Sequence, residues 1–299
     1  MTLEIKTECS GHFKLEVRRA DGTLRETLEF QNLITNGGLN RLAAAADIAY
    51  YCQVGSGSTA PTVNDSALVS RIAVVFYNGG SNGIQPSAPY YAWGITTYRF
   101  SEGTAAGILA EIGVGWATTG SLFSRALILD GNGDPTTITI LANETLDVTY
   151  QLRVYPPLVD STGLLTLRGT EHTVTGRACG VNVSGQWYAP SHTTGVHEGF
   201  FSGITAYNGE IGAITASAPA GTASTGSAVG VAYVTDSLQK DGTATFALAQ
   251  GNFAGGITAF RANNFGCGSY QFGFSPAIMK TNVDTLTLTL RHSWARKTL

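Results

Sequence analysis

Ionised side chains are scarce in this sequence. Asp, Glu, Lys and Arg together make up 13% of its 299 residues, against roughly 25% in an ordinary globular protein. The two signs nearly cancel, at a net charge of −3, so no field of one sign exists to draw in nucleic acid. Cysteine is sparse as well. Cys9, Cys52, Cys179 and Cys267 stand far apart with no CxxC pair, which argues against a zinc site or a redox couple and reads as buried free thiols. Long hydrophobic runs are missing: Ile72 to Tyr77 is among the longest, far too short to span a bilayer. Glu4, Lys6 and Glu8 occupy the start of the chain, where a signal peptide needs an apolar stretch. The expectation is a chain made and folded in a cytosol, without a membrane anchor.

What is abundant points to strands. Glycine accounts for 37 residues and aromatics for 10%; the first supplies turns and the second exceeds what a disordered chain carries. A chain of this length buries roughly three quarters of its extended surface, so it folds without disulfides or metals. The polar surface is Ser, Thr, Asn and Gly rather than Lys and Glu. A monomer so poor in charge is prone to aggregate, which leads us to expect assembly with neighbours.

Charge is unevenly spread: the first 30 residues hold 11 charged side chains and the other 269 hold 28. Phe13, Leu15 and Val17 alternate with Lys14, Glu16 and Arg18, the pattern of a half-buried strand. Asp21-Gly22 supplies a tight turn, and Leu24, Leu28 and Phe30 return on one face, with Glu26 breaking the pattern. One helix is expected near 37–46, with Thr35 and Asn36 as candidate caps, an Ala-rich body, and Gly37-Gly38 weakening its start. Strands are then expected at Tyr51 to Val54, Arg71 to Tyr77, Trp93 to Phe100, Ile108 to Trp116 and Leu122 to Leu129. The clearest is Leu146, Val148, Tyr150, Leu152 and Val154, in strict alternation with polar residues. Pro156-Pro157 ends that run and marks an expected boundary between a domain at 1–156 and a second at 157–299. In the second half Leu165, Leu167, Val174, Val181 and Val183 lead on. From Phe200 to Gln239 only Glu210 and Asp236 are charged, so that stretch is either core strand or a surface covered by a partner. The runs Asn143 to Val148 and Asn282 to Thr287 resemble each other and close their respective halves, which fits either an internal repeat or shared strand composition. The fold class is all-β, with antiparallel sandwich-like units, two of them being the leading arrangement and a single elongated domain the alternative.

Candidate chemistry is thin. Gly79-Gly80-Ser81-Asn82-Gly83 matches the GxSxG string of serine hydrolases, but that string acts only on a strand-to-helix turn, and a hairpin loop is expected here. Asp130-Gly131-Asn132-Gly133-Asp134 places oxygens like a calcium loop but lacks the closing bidentate Glu, since Leu141 sits there; a turn is expected. His192, His197 and Glu198 lack the spacing of a helical zinc motif. Glu102, Glu111, Asp130, Asp134, Glu144 and Asp147 cannot be paired into the two carboxylates of a glycosidase. Trp93, Trp116, Trp187, Tyr188 and Trp294 suit core packing better than sugar stacking. No catalytic residue, metal ligand or cofactor site is expected.

Several segments taken together resemble a known family. Asn32-Leu33-Ile34-Thr35-Asn36-Gly37-Gly38-Leu39, then Val54-Gly55-Ser56-Gly57-Ser58-Thr59-Ala60-Pro61 with Asp65 and Leu68, then Glu111-Ile112-Gly113 followed by Leu122-Phe123-Ser124-Arg125-Ala126-Leu127, and the strand from Leu146 to Tyr150, resemble in order and spacing the tail structural proteins of tailed bacteriophages. The resemblance runs from Asn32 to Val154; residues 160–299 resemble nothing in particular. It implies a non-enzymatic part of the virion at the tail tip, baseplate or fibre, assembled in the bacterial cytoplasm. Its partners would be other phage tail proteins and copies of itself, as a trimer or ring. It carries no catalytic residues. An ion pair between Glu111 and Arg125, fixing neighbouring strands, is expected. The alternative role is a receptor-binding module whose second half recognises a glycan or protein on the host surface. A glycan-cleaving enzyme is the weakest reading.

Overall fold

The computed structural model describes residues 2–44, 48–190 and 201–297. In chain order the strands are β1 (Thr2–Arg18), β2 (Leu24–Ile34), β3 (Tyr51–Gly55), β4 (Arg71–Phe76), β5 (Gly79–Gln85), β6 (Tyr91–Phe100), β7 (Gly107–Leu109), β8 (Glu111–Gly115), β9 (Leu122–Leu127), β10 (Ile138–Ile140) and β11 (Thr145–Tyr155). There follow β12 (Ser161–Leu167), β13 (Thr170–Cys179), β14 (Gly203–Tyr207), β15 (Ala223–Gly230), β16 (Gln239–Phe246), β17 (Ile257–Phe265), β18 (Gly268–Ile278) and β19 (Leu286–Arg296). The one helix among the described residues is α1 (Asn36–Ala44). The chain is all-β with a short N-terminal helix, and all but two of its strands join one large curled sheet.

Strand β1 organises the molecule. Its odd-numbered residues Leu3, Ile5, Thr7, Cys9, Gly11, Phe13, Leu15 and Val17 are all buried, with Ser10 the one even-numbered residue buried beside them, so one face of a 17-residue strand lies on the core. Glu8–Arg18 pair antiparallel with β11 on one edge. The opposite edge is shared: Gly11–Arg18 pair antiparallel with β2, and Thr2–Cys9 pair parallel with β19. From β11 the sheet continues through β6 to β5. The end of β2 crosses to a second layer, β9-β8-β3-β4. From β19 it runs through β16 to β15, whose other half joins β14-β17-β18-β13-β12. Pro156-Pro157 lie in the link between β11 and β12.

The buried face of β11 is Leu146, Val148, Tyr150, Leu152 and Val154, the five predicted by alternation; each such burial contributes about 1.5–3 kcal/mol. Tyr150 meets Phe13 at 5.1 Å and Phe123 at 6.2 Å. The corresponding cluster in the second half stacks Phe246 on Phe260 at 5.0 Å and sets Phe274 edge-on at 5.0 Å. Both clusters belong to one continuous core.

Turn chemistry acts where the sequence places it. Asp21 Oδ1 accepts the Thr23 amide at 2.9 Å and Gly22 adopts φ +82°. The register shift falls at Arg25, so Leu24 lies opposite Arg18 and is 48% exposed instead of sharing the face of Leu28 and Phe30 as expected, while Glu26 stays in register opposite Val17. Helix α1 begins at Asn36 rather than 37, and Ala45 and Ala46 lie outside the described residues. Thr35 is its N-cap, accepting the Gly38 amide on Oγ1 at 2.8 Å. A Cβ on Gly38 would sit 2.1 Å from the Phe123 carbonyl oxygen, so the glycine that weakens the helix start is required by close packing. The second half holds this helix: Trp294 Nε1 donates to Leu39 O at 3.0 Å, and Asn40 Oδ1 accepts the Asp236 amide at 2.7 Å.

Two further expectations need correction. Gly79–Gly83, expected as a hairpin loop, is strand β5, paired residue for residue with β6; the Trp93 ring lies over Gly83, where a Cβ would approach it to 2.5 Å. The expected strand Ile108 to Trp116 is split at Ala110 into β7 and β8, because β7 leaves the main sheet to pair with β10.

Candidate interaction surfaces

The most heavily determined feature outside the apolar core is the loop of residues 56–70, between β3 and β4. Glu111 opens β8 and is fully buried. Its Oε1 accepts the amides of Gly57 at 3.1 Å and Ser70 at 2.7 Å; its Oε2 accepts the Val69 amide at 3.1 Å. Arg125, also buried, lies in the neighbouring strand β9 and donates through Nε and Nη2 to Glu111 Oε2 at 3.0 and 2.8 Å. Its remaining donors reach Asp65 Oδ2 at 2.6 Å and the Thr59 carbonyl at 2.8 Å. Asp65 in turn accepts the Thr62 amide at 2.9 Å, and these bonds hold its carboxyl below the usual range against the opposing effect of burial. The expected Glu111–Arg125 pair is therefore present, and it does more than link two strands: it closes a loop from within. Gly55 and Gly57 are the residues that permit this, since a Cβ on either would fall 2.4 Å from the Ser70 carbonyl oxygen or from Glu111 Oε1 respectively.

The other candidate residues are spent structurally or lie apart. Ser81 is on exposed β5 opposite Ile95, with no helix after it. Asp130 Oδ1 accepts the amides of Asn132 at 2.8 Å and Asp134 at 3.0 Å, a closed turn, and these bonds lower its pKa. Glu144 is buried and takes Arg25 at 2.6 Å, while Asp147 takes Arg18 at 3.0 Å and Arg99 at 2.6 Å. Glu102 is exposed. Trp187 and Trp294 are core residues; Trp187 Nε1 donates to Cys179 O at 2.8 Å. Trp116 carries Arg41 over its ring at 5.1 Å, and Tyr188 donates to the Gly266 carbonyl. His192, His197 and Glu198 lie outside the described residues. All four cysteines are free and buried, and burial pushes Cys9 up to about 12 and Cys179 to about 11. Among the described residues no group of three or more His, Cys, Asp or Glu is placed to hold a metal, and no helix is long and apolar enough to cross a membrane.

Comparison of the chain with family models, with curated proteins and with solved structures finds no match.

Two surface features were not anticipated from the sequence. Tyr50, Tyr51, Phe76 and Tyr77 form an aromatic patch at the open edge of β3–β4, with ring centroids 4.3 to 5.6 Å apart. Phe76 at its centre is 50% exposed. The adjacent pairs Tyr50-Tyr51 and Phe76-Tyr77 were the available signal; their meeting depends on strand register, Tyr51 falling opposite Phe76. The second is a groove of about 480 Å³ between Thr2–Lys6 of β1 and Ser161–Gly163 of β12, floored by Val174 and Phe272. At its mouth Val159 is 83% exposed.

Proposed function

We propose that this chain is a non-enzymatic structural component of a bacteriophage tail, which assembles with copies of itself and with other tail proteins. One observation carries the reading: the segments that resemble tail proteins converge on a single packed unit. Thr35 caps α1 and donates to the Leu122 carbonyl at 2.7 Å, while Gly55, Gly57, Asp65, Glu111 and Arg125 build the internally closed loop. Residues distant in sequence thus serve one architectural purpose, and their types are explained by packing and hydrogen bonding. Exposed apolar side chains such as Val69, Ile72, Phe76 and Ile108 surround that unit, on a chain with few charges to keep copies apart.

Mass spectrometry of purified particles tests the proposal directly. The chain is expected at a fixed copy number and in reconstructed density of the tail tip, baseplate or fibre. Its absence from particles, with a monomer persisting at high concentration in light scattering, would overturn the reading.

The aromatic patch favours a second reading, recognition of a host-surface glycan or protein, because clustered Tyr and Phe give rigid contact area at small entropic cost. Whole-chain adsorption to host cells, with and without Phe76→Ser, separates the two. Adsorption lost in the variant favours recognition; no adsorption by either protein favours scaffolding.

A further inference from the structure

We infer that the chain is a tandem duplication, in which residues 11–155 and 161–297 are two copies of one strand plan. This goes beyond the proposed role and stands whether or not the protein belongs to a virion.

The plan repeats in chain order. In the first copy, β1 pairs with β2, β2 with β9, β9 with β8, β8 with β3, β3 with β4, β5 with β6 and β6 with β11, all antiparallel. In the second, β12 pairs with β13, β13 with β18, β18 with β17, β17 with β14, β14 with the first half of β15, the second half of β15 with β16, and β16 with β19, again all antiparallel. The bent strand β15 does the work of β4 and β5 together, and β7 and β10 are additions to the first copy.

Register repeats as well, which shared topology does not require, since a slip of one residue turns a strand over. Across the first copy Gln53, Gly113, Arg125 and Leu33 lie side by side. Across the second Thr205, Arg261, Gln271 and Arg177 do so. Two residues further along, Gly55 faces Arg71 and Tyr207 faces Ala223, so each copy spans the same fifteen residues of loop, 56–70 and 208–222. At the other end of the plan Phe100 faces Leu146, and Phe246 faces Leu286; each leucine follows a threonine, which aligns the two similar runs noticed in the sequence.

Function of position is conserved between the copies while chemistry is not. Gln271 occupies the place of Arg125, and it too reaches into its loop: it accepts the Gly212 amide at 2.9 Å and donates to the carbonyls of Gly212 at 2.9 Å and Ala213 at 3.2 Å. Ala259, facing Tyr207 as Glu111 faces Gly55, leaves no charge to be neutralised. The copies face opposite ways along β1, because β11 runs antiparallel to it and β19 parallel. One pairing fails to recur: β12 does not bond β19, whose edge is filled by Thr2–Cys9. The groove beside β12 is the resulting opening.

Loop grafting in the full-length chain tests the equivalence. Residues 208–222 replace 56–70, first alone and then with Glu111→Ala and Arg125→Gln; the reciprocal graft carries Ala259→Glu and Gln271→Arg. Each loop is expected to lower the thermal midpoint sharply when placed on the wrong cap, and the matched cap is expected to restore most of that loss in at least one direction. Matched grafts as unstable as unmatched ones in both directions, including failure of both to fold, would overturn the duplication.

Discussion

The loops 56–70 and 208–222 sit at register-equivalent places, yet one is closed by a buried carboxylate and guanidinium and the other by the neutral amide of Gln271, with the half-buried Arg177 donating to the Gly212 carbonyl at 2.7 Å beside it. Glu111 and Arg125 leave water entirely, and their desolvation is offset by seven hydrogen bonds and ionic contacts only as long as both are present. Gln271 carries no charge, so it offers the same loop closure with less to lose. The comparison teaches that the position, a central strand facing the base of a loop, demands a polar pin, while the identity of the pin follows the loop it holds.

The sharpest way to break the comparison is to remove one pin. Arg125→Ala leaves the Glu111 carboxylate buried without its counter-ion and is expected to cost about 3–5 kcal/mol by urea denaturation. Glu111→Ala with Arg125→Ala should cost less than the two single changes added together; additive losses would show that the pair does not act as a unit. Gln271→Ala is expected to cost less, about 1–3 kcal/mol, because it orphans neutral groups only. A Gln271 loss equal to that of Arg125 would erase the distinction between the two pins.

A different prediction concerns acid. His292 lies in β19 of the second copy, against the N-terminal part of β1 and 3.0 Å from Thr7 Oγ1, and burial lowers its pKa from 6.5 to about 3. The unfolded chain binds this proton below pH 6.5 and the folded chain does not until about pH 3. Its contribution is thus fully present above pH 6.5 and declines as pH falls toward 3, by at most about 1.4 kcal/mol per pH unit. Burial lowers His12 from 6.5 to about 4 in the first copy, so both regions weaken in acid. His292→Gln should flatten the pH dependence of the urea midpoint across this window, and an unchanged slope would exclude His292 as a contributor. The smallest expected effect is Thr35→Ala, about 1 kcal/mol from loss of the helix cap, read as a lowered midpoint in thermal circular dichroism.

Much of the local structure was legible. Alternation in β11, the Asp21-Gly22 turn, the cap at Thr35 and the free cysteines were all available from residue type and spacing. The Glu111–Arg125 pair was anticipated, but its grip on the backbone of Gly57, Val69 and Ser70 was not, since no local signal says where a carboxylate buried 41 to 54 residues away will point. Strand β5 was misread because glycine and asparagine have low strand propensity; pairing with β6 and the cover of Trp93 override it. The charge-poor stretch from Phe200 to Gln239 divides, with β14 in the core and Val229 64% exposed on β15.

By itself the sequence determined which residues alternate, where the chain turns and which segments must be buried, because those properties depend on neighbours a few positions away. Tertiary structure alone decided that Thr2–Cys9 lies beside a strand nearly three hundred residues later, that Arg125 and Gln271 hold equivalent stations, and that β12 is left with an open edge. Such pairings are selected by the burial and hydrogen bonding of the whole sheet, for which no short stretch of sequence carries the instruction.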